Sequence, residues 1–166
     1  DHVILPDYAN YTASLDTLTA RFKSFKTITD LNHFQLLKQA FNSSYTKYQR
    51  VSLYGFGPAE DVSIRSNCNI FPCNTSNITA NISSGVYTLD ASSNLSAKGF
   101  PALDYLLYGE NQSEQDVFNL FLGNANRWNY LQALITDLSE KMNKVNSSWQ
   151  SSYRQTFITS LGTDLG

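Results

Sequence analysis

The sequence predicts an all-α protein, namely an up-down helical bundle with a long irregular crossover. Two observations carry this prediction. Apolar residues recur at steps of three and four along several long segments, as they do on one face of an amphipathic helix. No segment shows the alternation of apolar and polar residues that predicts a strand. A chain of 166 residues can bury one sizeable core, so we treat residues 1–166 as a single helical-bundle domain.

The first two helices are predicted from their apolar faces. The first covers about residues 8–27, and Asp30 can cap a second that covers about residues 31–54. Gly57 and Pro58 then end the second helix. The apolar positions of the two helices are Tyr8, Tyr11, Leu15, Leu18, Phe22 and Phe25, followed by Phe34, Leu37, Ala40, Phe41, Tyr45, Tyr48, Val51 and Leu53.

Residues 56–97 break the helical pattern. They hold a proline-containing cysteine loop and several stretches rich in Ser and Asn, and we expect at most short helices there, near residues 76–83 and 86–89. A long irregular segment between helices of a compact domain is often functional or packed against a partner. Residues 56–97 therefore form the predicted crossover.

Helical patterns resume after the crossover. A short helix is predicted over about residues 101–108, and a further helix over about residues 113–122. A long helix follows over about residues 124–145. A last amphipathic segment, residues 149–161, ends at Gly162.

The composition and net charge of the chain limit which partners it can bind and in which compartment it is expected. The formal net charge of -2 offers no basic surface for a polyanion, so we expect no nucleic-acid partner. Only 16% of the residues are charged, and Ser, Thr and Asn supply much of the remaining polarity, which favours an exported protein. No apolar run reaches 18 residues, so no transmembrane segment is predicted. The N-terminus has no basic region followed by an apolar stretch, and we expect any export signal to have been removed.

Two cysteines lie close together in the sequence Asn67-Cys-Asn-Ile-Phe-Pro-Cys-Asn74. We predict a local disulfide between Cys68 and Cys73, because such bridges persist in oxidising compartments. A thiolate metal site is the alternative, but it would need further Cys or His ligands nearby, which the sequence lacks. The C-x4-C spacing also differs from the C-x-x-C spacing of redox centres.

The most informative segment is Lys98-Gly-Phe-Pro-Ala-Leu-Asp-Tyr-Leu-Leu-Tyr-Gly109. It reads as a short apolar helix with a proline in its first turn, a glycine as its stop and one embedded carboxylate, Asp104. The segment resembles the signature of the imelysin-like family, in which a G-x-H-x-x-E motif opens a helix that ends in a Leu-Leu-x-Gly run. The motif positions fall on Gly99, Pro101 and Asp104, so that proline replaces the histidine and aspartate replaces the glutamate.

Further landmarks follow the order and spacing of the same family. They are Tyr54-Gly-Phe-Gly-Pro58, Ile70-Phe-Pro72 and Arg127-Trp-Asn-Tyr-Leu131. Because family members are built from two helical bundles, the resemblance implies that this chain is the N-terminal half of a longer protein. It also implies that the partner of this chain is a second helical bundle, which would continue after Gly166.

The resemblance directs the choice of site residues. We predict no catalytic residue, because the proline at the histidine position has no side-chain donor or lone pair. The candidate ligand-binding residues are Lys98, Asp104, Tyr105 and Tyr108. The candidate metal ligands, if the fold brings them together, are Asp104, Glu60 and Asp61. Asp104 has an alternative role that is purely structural, because the helix macrodipole favours an acid in the first turn.

The family resemblance implies a bacterial cell-envelope protein, often a lipoprotein, that is linked to iron acquisition. We therefore predict a non-catalytic binding protein for iron or haem, with iron or another divalent metal as cofactor and a lipid anchor upstream. A metallopeptidase is the alternative function. Such an enzyme needs three protein ligands and a general base, and the missing second half would have to supply the ligands that this chain lacks. His2 and His33 are the only histidines, and neither belongs to a metal-binding motif. A structural or adhesive surface module is the third alternative.

Overall fold

Helices form all of the regular secondary structure in residues 2–160, the part of the chain that this computed structural model describes. The α-helices are α1 (Ile4–Thr27), α2 (Leu31–Val51), α3 (Pro58–Asp61), α4 (Ile64–Cys68), α5 (Thr75–Ser84), α6 (Gly99–Tyr108), α7 (Glu114–Asn119), α8 (Ala125–Ser148) and α9 (Arg154–Thr159). Short 3₁₀ helices cover Ser52–Tyr54 and Ser92–Ala97, and a π-helical segment, Trp149–Tyr153, joins α8 to α9. In this part of the chain, no helix is both long enough and apolar enough to cross a membrane.

The first helix, α1, runs antiparallel to both α2 and α8 and packs more extensively on α2. Near its start, the Tyr8 hydroxyl donates a hydrogen bond of 3.0 Å to the carbonyl of Tyr54, which follows α2. The Tyr8 ring also stacks on Trp149 at the end of α8, with 6.2 Å between ring centroids. Near the other end of α1, Lys26 donates to the side chain of Gln132 in the first half of α8, at 3.1 Å.

The short helix α6 completes the bundle. At its start, the Phe100 ring stacks on Tyr45 in the second half of α2, with 4.8 Å between centroids. At its end, Tyr108 contacts Phe41, one turn earlier on α2, with 6.0 Å between centroids. Helix α6 therefore runs antiparallel to α2. The four helices α1, α2, α6 and α8 alternate in direction, which confirms the predicted up-down helical bundle.

The core between these helices is rich in aromatic side chains. Phe25 lies at the centre of one cluster, with ring centroids 5.2 Å from Phe34, 5.7 Å from Phe121 and 4.7 Å from Trp128. These residues come from α1, from α2, from the connection that precedes α8 and from α8 itself, so that the ring of Phe25 contacts side chains from three other parts of the chain. Burying such a side chain contributes about 1.5–3 kcal/mol. The aromatic residues of the predicted helical patterns thus serve mainly as core.

The helix boundaries agree with the sequence patterns in most places. The Asp30 side chain caps α2 as predicted, and accepts a hydrogen bond of 2.8 Å from the backbone N–H of His33. Helix α1 begins earlier than predicted, at Ile4, because Pro6 is tolerated within a first turn. The predicted helix over residues 86–89 does not form. The predicted stop of the last helical segment, at Gly162, lies outside the described residues.

The crossover is held to the bundle by buried hydrogen bonds. The Asn81 amide on α5 donates to the side-chain oxygen of Asn94 at 2.8 Å and to the Tyr130 hydroxyl on α8 at 3.2 Å. Tyr130 in turn donates to the carbonyl of Ala97 at 2.6 Å. The Asn94 amide donates to the carbonyl of Thr88 at 2.9 Å. Residues 56–97 lack long helices, but these hydrogen bonds fix their path across α8. They thereby also fix where the chain enters α6.

Candidate functional site

The position of α6 is fixed at its first residue. Gly99 has a φ of +75° and packs against the backbone at the end of α4, where an added Cβ would lie 2.3 Å from the carbonyl oxygen of Cys68. Only glycine fits both the positive φ and this close approach. The motif helix is therefore docked directly on the crossover, and its first turn faces the residues that follow Cys68.

A cavity of about 370 Å³ lies between the first turns of α6 and the crossover. The motif positions Pro101 and Asp104 line it, together with Tyr105 one residue further along α6. The remaining lining residues are Tyr45, Phe71, Pro72, Cys73, Thr75, Phe100, Gly109 and Glu110. The peptide bond between Phe71 and Pro72 is cis. We call this space the motif cavity, since two of the three family-motif positions open onto it.

The motif cavity is acidic. Desolvation raises the pKa of the Asp104 carboxyl, although the residue remains exposed at the cavity rim and solvent limits the effect. The Cys73 thiol also has a raised pKa, chiefly through burial and further through the negative charges of Glu110 and Asp104. No Lys, Arg or His side chain lies among the described residues that line the cavity. The site therefore favours a positively charged ligand.

Lys98, predicted as a ligand-binding residue, does not line the motif cavity. Its side chain is 0% exposed, and its ammonium group lies 3.1 Å from Asp90 and 3.9 Å from Asp137. Lys141, one turn after Asp137 on α8, also pairs with both carboxylates. The structure gives Lys98 a different environment from the predicted one, because its side chain is buried as the ionic anchor of α6 on α8 and its charge is already paired.

The two predicted tyrosines, Tyr105 and Tyr108, have different surroundings although they lie within one turn of α6. Tyr105 lines the motif cavity. Tyr108 lies outside it, where the Asn42 amide donates to its hydroxyl at 2.8 Å and the Lys38 ammonium sits 4.2 Å from its ring centroid. Lys38 is also paired with Glu114 at 2.7 Å, so Tyr108 belongs to a cluster that joins α2, α6 and α7. Of the two, the geometry leaves only Tyr105 available to a ligand in the cavity.

The three predicted metal ligands do not come together. Asp104 lines the motif cavity, whereas Glu60 lines a separate cavity formed by the first part of the crossover. Asp61, next to Glu60 at the end of α3, lines neither cavity. Across residues 2–160 no three His, Cys, Asp or Glu side chains are grouped so as to hold a metal ion. The grouping fails because α3 and α6 present their carboxylates to different surfaces.

The predicted disulfide is absent, because Cys68 and Cys73 are both free thiols. Cys68 ends α4 fully buried, close to the phenols of Tyr11 and Tyr48, and burial raises its pKa to about 12. Cys73 lies beyond the cis-proline and lines the motif cavity near Asp104. The two thiols therefore occupy different environments, one in the core and one at the cavity.

The free thiols predict a specific labelling pattern. In folded protein without reductant, we expect iodoacetamide at pH 8 to modify Cys73 alone, because burial shields Cys68 and keeps its thiol protonated. The rate should rise with pH, since the raised pKa of Cys73 limits its thiolate near neutrality. Peptide mass spectrometry should find both residues labelled once the chain is unfolded. An unfolded chain that stays unlabelled until a reductant is added would instead establish the disulfide.

Sequence reasoning missed Glu110 and Tyr45 as cavity residues. Glu110 follows the glycine stop of α6 directly, so an acid just after the motif was an available signal. Tyr45 belonged to the apolar face of α2, and nothing local distinguished it from its core neighbours. Only the packing of α2 against α6 places it at the cavity.

Comparison with known proteins connects this geometry to a family. The family model described as Imelysin matches residues 4–165. None of the curated proteins matches this sequence. Among solved structures, the fold is similar to that of a protein from Parabacteroides distasonis described as an iron-regulated protein A precursor, with a TM-score of 0.74 and 16% identity. The match covers 89% of this chain and 42% of that chain, and at this identity it shows the fold alone. Since the family model spans most of the sequence, including the altered motif at the start of α6, the chain belongs to the imelysin family.

Proposed function

We propose that this chain is a non-catalytic binding protein of the bacterial cell envelope, and that the motif cavity takes part in iron uptake by binding the iron cation. The observation that carries the proposal is the charge of the cavity. Asp104 and Glu110 both line it, and no basic side chain among the described residues offsets them. A cation is therefore the ligand class that such a site attracts.

The side chains that line the cavity match an iron cation in charge, but they supply too few ligands to coordinate it fully. Carboxylate oxygens are suitable ligands for hard metal ions, and Asp104 and Glu110 can supply them. Two carboxylates do not fill a coordination sphere, and residues 2–160 provide no third acid, His or Cys in a metal-binding group with them. We infer that the remaining ligands come from outside this bundle.

A second helical bundle of the same protein is the source we propose for those ligands. The Parabacteroides distasonis structure is longer, and the match covers only 42% of it. Phe71, which lines the motif cavity, is 85% exposed, as expected for a side chain that a further domain would cover. We further propose that the protein is exported and that a lipid anchor lies upstream of this chain.

Peptidase activity is the less favoured function. The proline at the histidine position cannot bind a metal or transfer a proton. A zinc peptidase needs three protein ligands and a general base, and His33 is engaged elsewhere, with its ring nitrogen 2.7 Å from Asp30. Iron binding requires negative charge and oxygen ligands but no general base, and the two carboxylates of the motif cavity supply some of those ligands.

Iron titration of the purified protein tests this function. We expect Fe²⁺, added without oxygen, to bind saturably to the unaltered protein. The Asp104→Asn variant should bind at least tenfold more weakly, because it removes one of two carboxylates from the cavity. Asp16→Asn makes the same change at an exposed position of α1 and should leave the affinity unchanged. Calorimetry gives the affinities, and circular dichroism checks that both variants are folded.

Two results would contradict the assignment of the motif cavity to iron. One is equal iron binding by the Asp104→Asn variant and the unaltered protein. The other is saturable binding of haemin together with no binding of Fe²⁺, which would assign the cavity to the porphyrin instead of the cation. Chelator-sensitive cleavage of a peptide by the purified protein would overturn the non-catalytic assignment.

A further inference from the structure

A second cavity, larger than the motif cavity, lies within the first part of the crossover. Its volume is about 590 Å³, and its lining comes from the end of α2, from α3 and α4, and from the residues that follow α4. It shares no lining residue with the motif cavity. We call it the crossover cavity. Its size falls within the range of pockets that hold small molecules.

Two opposite charges line the crossover cavity. Glu60 lies on α3 and Arg65 on α4, and both are exposed. Within the described part of the chain, neither side chain has an ion-pair or hydrogen-bond partner. A carboxylate and a guanidinium that share one cavity without neutralising each other can each bind the complementary charge of a ligand.

A buried phenol adds a donor beside the guanidinium. Tyr48 is only 2% exposed, yet it lines the crossover cavity, and its hydroxyl has no hydrogen-bond partner among the described residues. The nearby positive charge of Arg65 acts to lower the pKa of Tyr48, whereas burial raises it, so the two groups are close together. Because this hydroxyl has no partner within the described residues, it is available to donate a hydrogen bond to a ligand in the cavity.

The two charges are held on a short, ordered segment. Ala59 and Ile64, next to the charged residues, are buried in the core. Between them the N–H of Ser63 donates to the carbonyl of Glu60 at 2.7 Å, and Ser63 itself has a φ of 47°, which is uncommon for a residue with a side chain. The segment thus presents Glu60 and Arg65 from a fixed turn. A preformed site of this kind avoids much of the ordering cost of binding.

We infer that the crossover cavity binds a small zwitterion, namely an amino acid or short peptide with a free ammonium and a free carboxylate. The Arg65 guanidinium and the Tyr48 hydroxyl bind the carboxylate, and the Glu60 carboxylate binds the ammonium. This role is independent of iron binding, since it uses none of the residues of the motif cavity.

Calorimetric titration with alanine, dialanine and trialanine tests the inference. At least one of them should bind saturably, and the best length reports the spacing of the two charged groups. Acetylation of its amino end, or amidation of its carboxyl end, should each weaken binding at least tenfold. The Arg65→Gln variant should bind the free peptide at least tenfold more weakly and no longer distinguish it from the amide. The Glu60→Gln variant should no longer distinguish it from the acetylated form.

Matched variants separate this site from general effects on the protein. Arg21→Gln removes an exposed arginine on α1 and should leave peptide binding unchanged. Tyr48→Phe keeps the ring in place and should weaken binding of the carboxylate about threefold. Asp104→Asn should weaken iron binding and leave peptide binding intact, so that iron binding and peptide binding can be refuted independently of each other. Lack of saturable binding at millimolar peptide, equal affinity for the doubly capped peptide, or full binding by Arg65→Gln would each overturn the inference.

Discussion

The Gly99→Ala variant is expected to lose about 3 kcal/mol or more of its free energy of unfolding, from a positive φ and a steric clash together. The φ of +75° is unfavourable for alanine. The added Cβ would lie 2.3 Å from the Cys68 carbonyl oxygen, and this neighbour is backbone that cannot rotate away. Relief of the clash requires α6 to move off α4. We therefore expect the motif cavity to be distorted as well, with weaker iron binding in whatever fraction remains folded.

Gly123→Ala is the matched control for this prediction. Gly123 has a φ of +73°, nearly the same as that of Gly99, but nothing lies within 4 Å of its added Cβ. The control should therefore lose only the conformational part, about 1 kcal/mol. Urea unfolding of both variants, followed by circular dichroism, gives the two losses. If they prove equal, the close approach of α6 to α4 does not constrain the fold as the structure indicates.

The Lys98→Met variant is also expected to lose a large part of its free energy of unfolding. Removing one partner of a buried ion pair costs about 3–5 kcal/mol, because the other charge is left uncompensated. We expect a value near the lower limit, about 3 kcal/mol, because Asp137 keeps its pairing with Lys141. One Asp137 oxygen is buried without a hydrogen bond, so its interaction with the Lys98 ammonium at 3.9 Å is its remaining compensation. Chemical unfolding of the variant measures the loss.

Two further variants and one binding measurement make this prediction specific. Lys144→Met removes an exposed lysine from α8 and should change stability by no more than about 0.5 kcal/mol. The double variant Lys98→Met/Asp137→Leu should recover part of the loss, because it leaves no buried charge unpaired. Iron affinity per folded molecule should be unchanged in Lys98→Met. A stable variant with weakened iron binding would restore Lys98 as a ligand and refute its role as an anchor.

The long helices were predictable because their signals are local. The apolar spacing along α1, α2 and α8 follows from the helical repeat itself, and the Asp30 cap acts within its own first turn. The start of α1 at Ile4 was less predictable, since a proline within the first turn suits a helix start at several neighbouring positions.

The candidate site was less predictable because its contacts join distant parts of the chain. Asp104, a motif position, and Tyr105 beside it both line the motif cavity, and the cavity residue Glu110 follows the same helix. Whether a lysine reaches a ligand or a buried acid depends on the opposite helix, and for Lys98 that helix supplies Asp137. Two cysteines close in sequence remain free when a turn sends one into the core, as it does with Cys68.

The family, the all-α class and the location of the motif helix can be predicted from residue spacing, because that spacing acts over a few helical turns. Which charged side chains are available to a ligand depends instead on the packing of the helices. Burial and pairing convert Lys98 into an anchor, separate Glu60 from Asp104, and leave Asp104 and Glu110 in an acidic cavity. The physical reason is that the solvation and pairing of a charged side chain depend on neighbours from other helices, which only the packed bundle brings together.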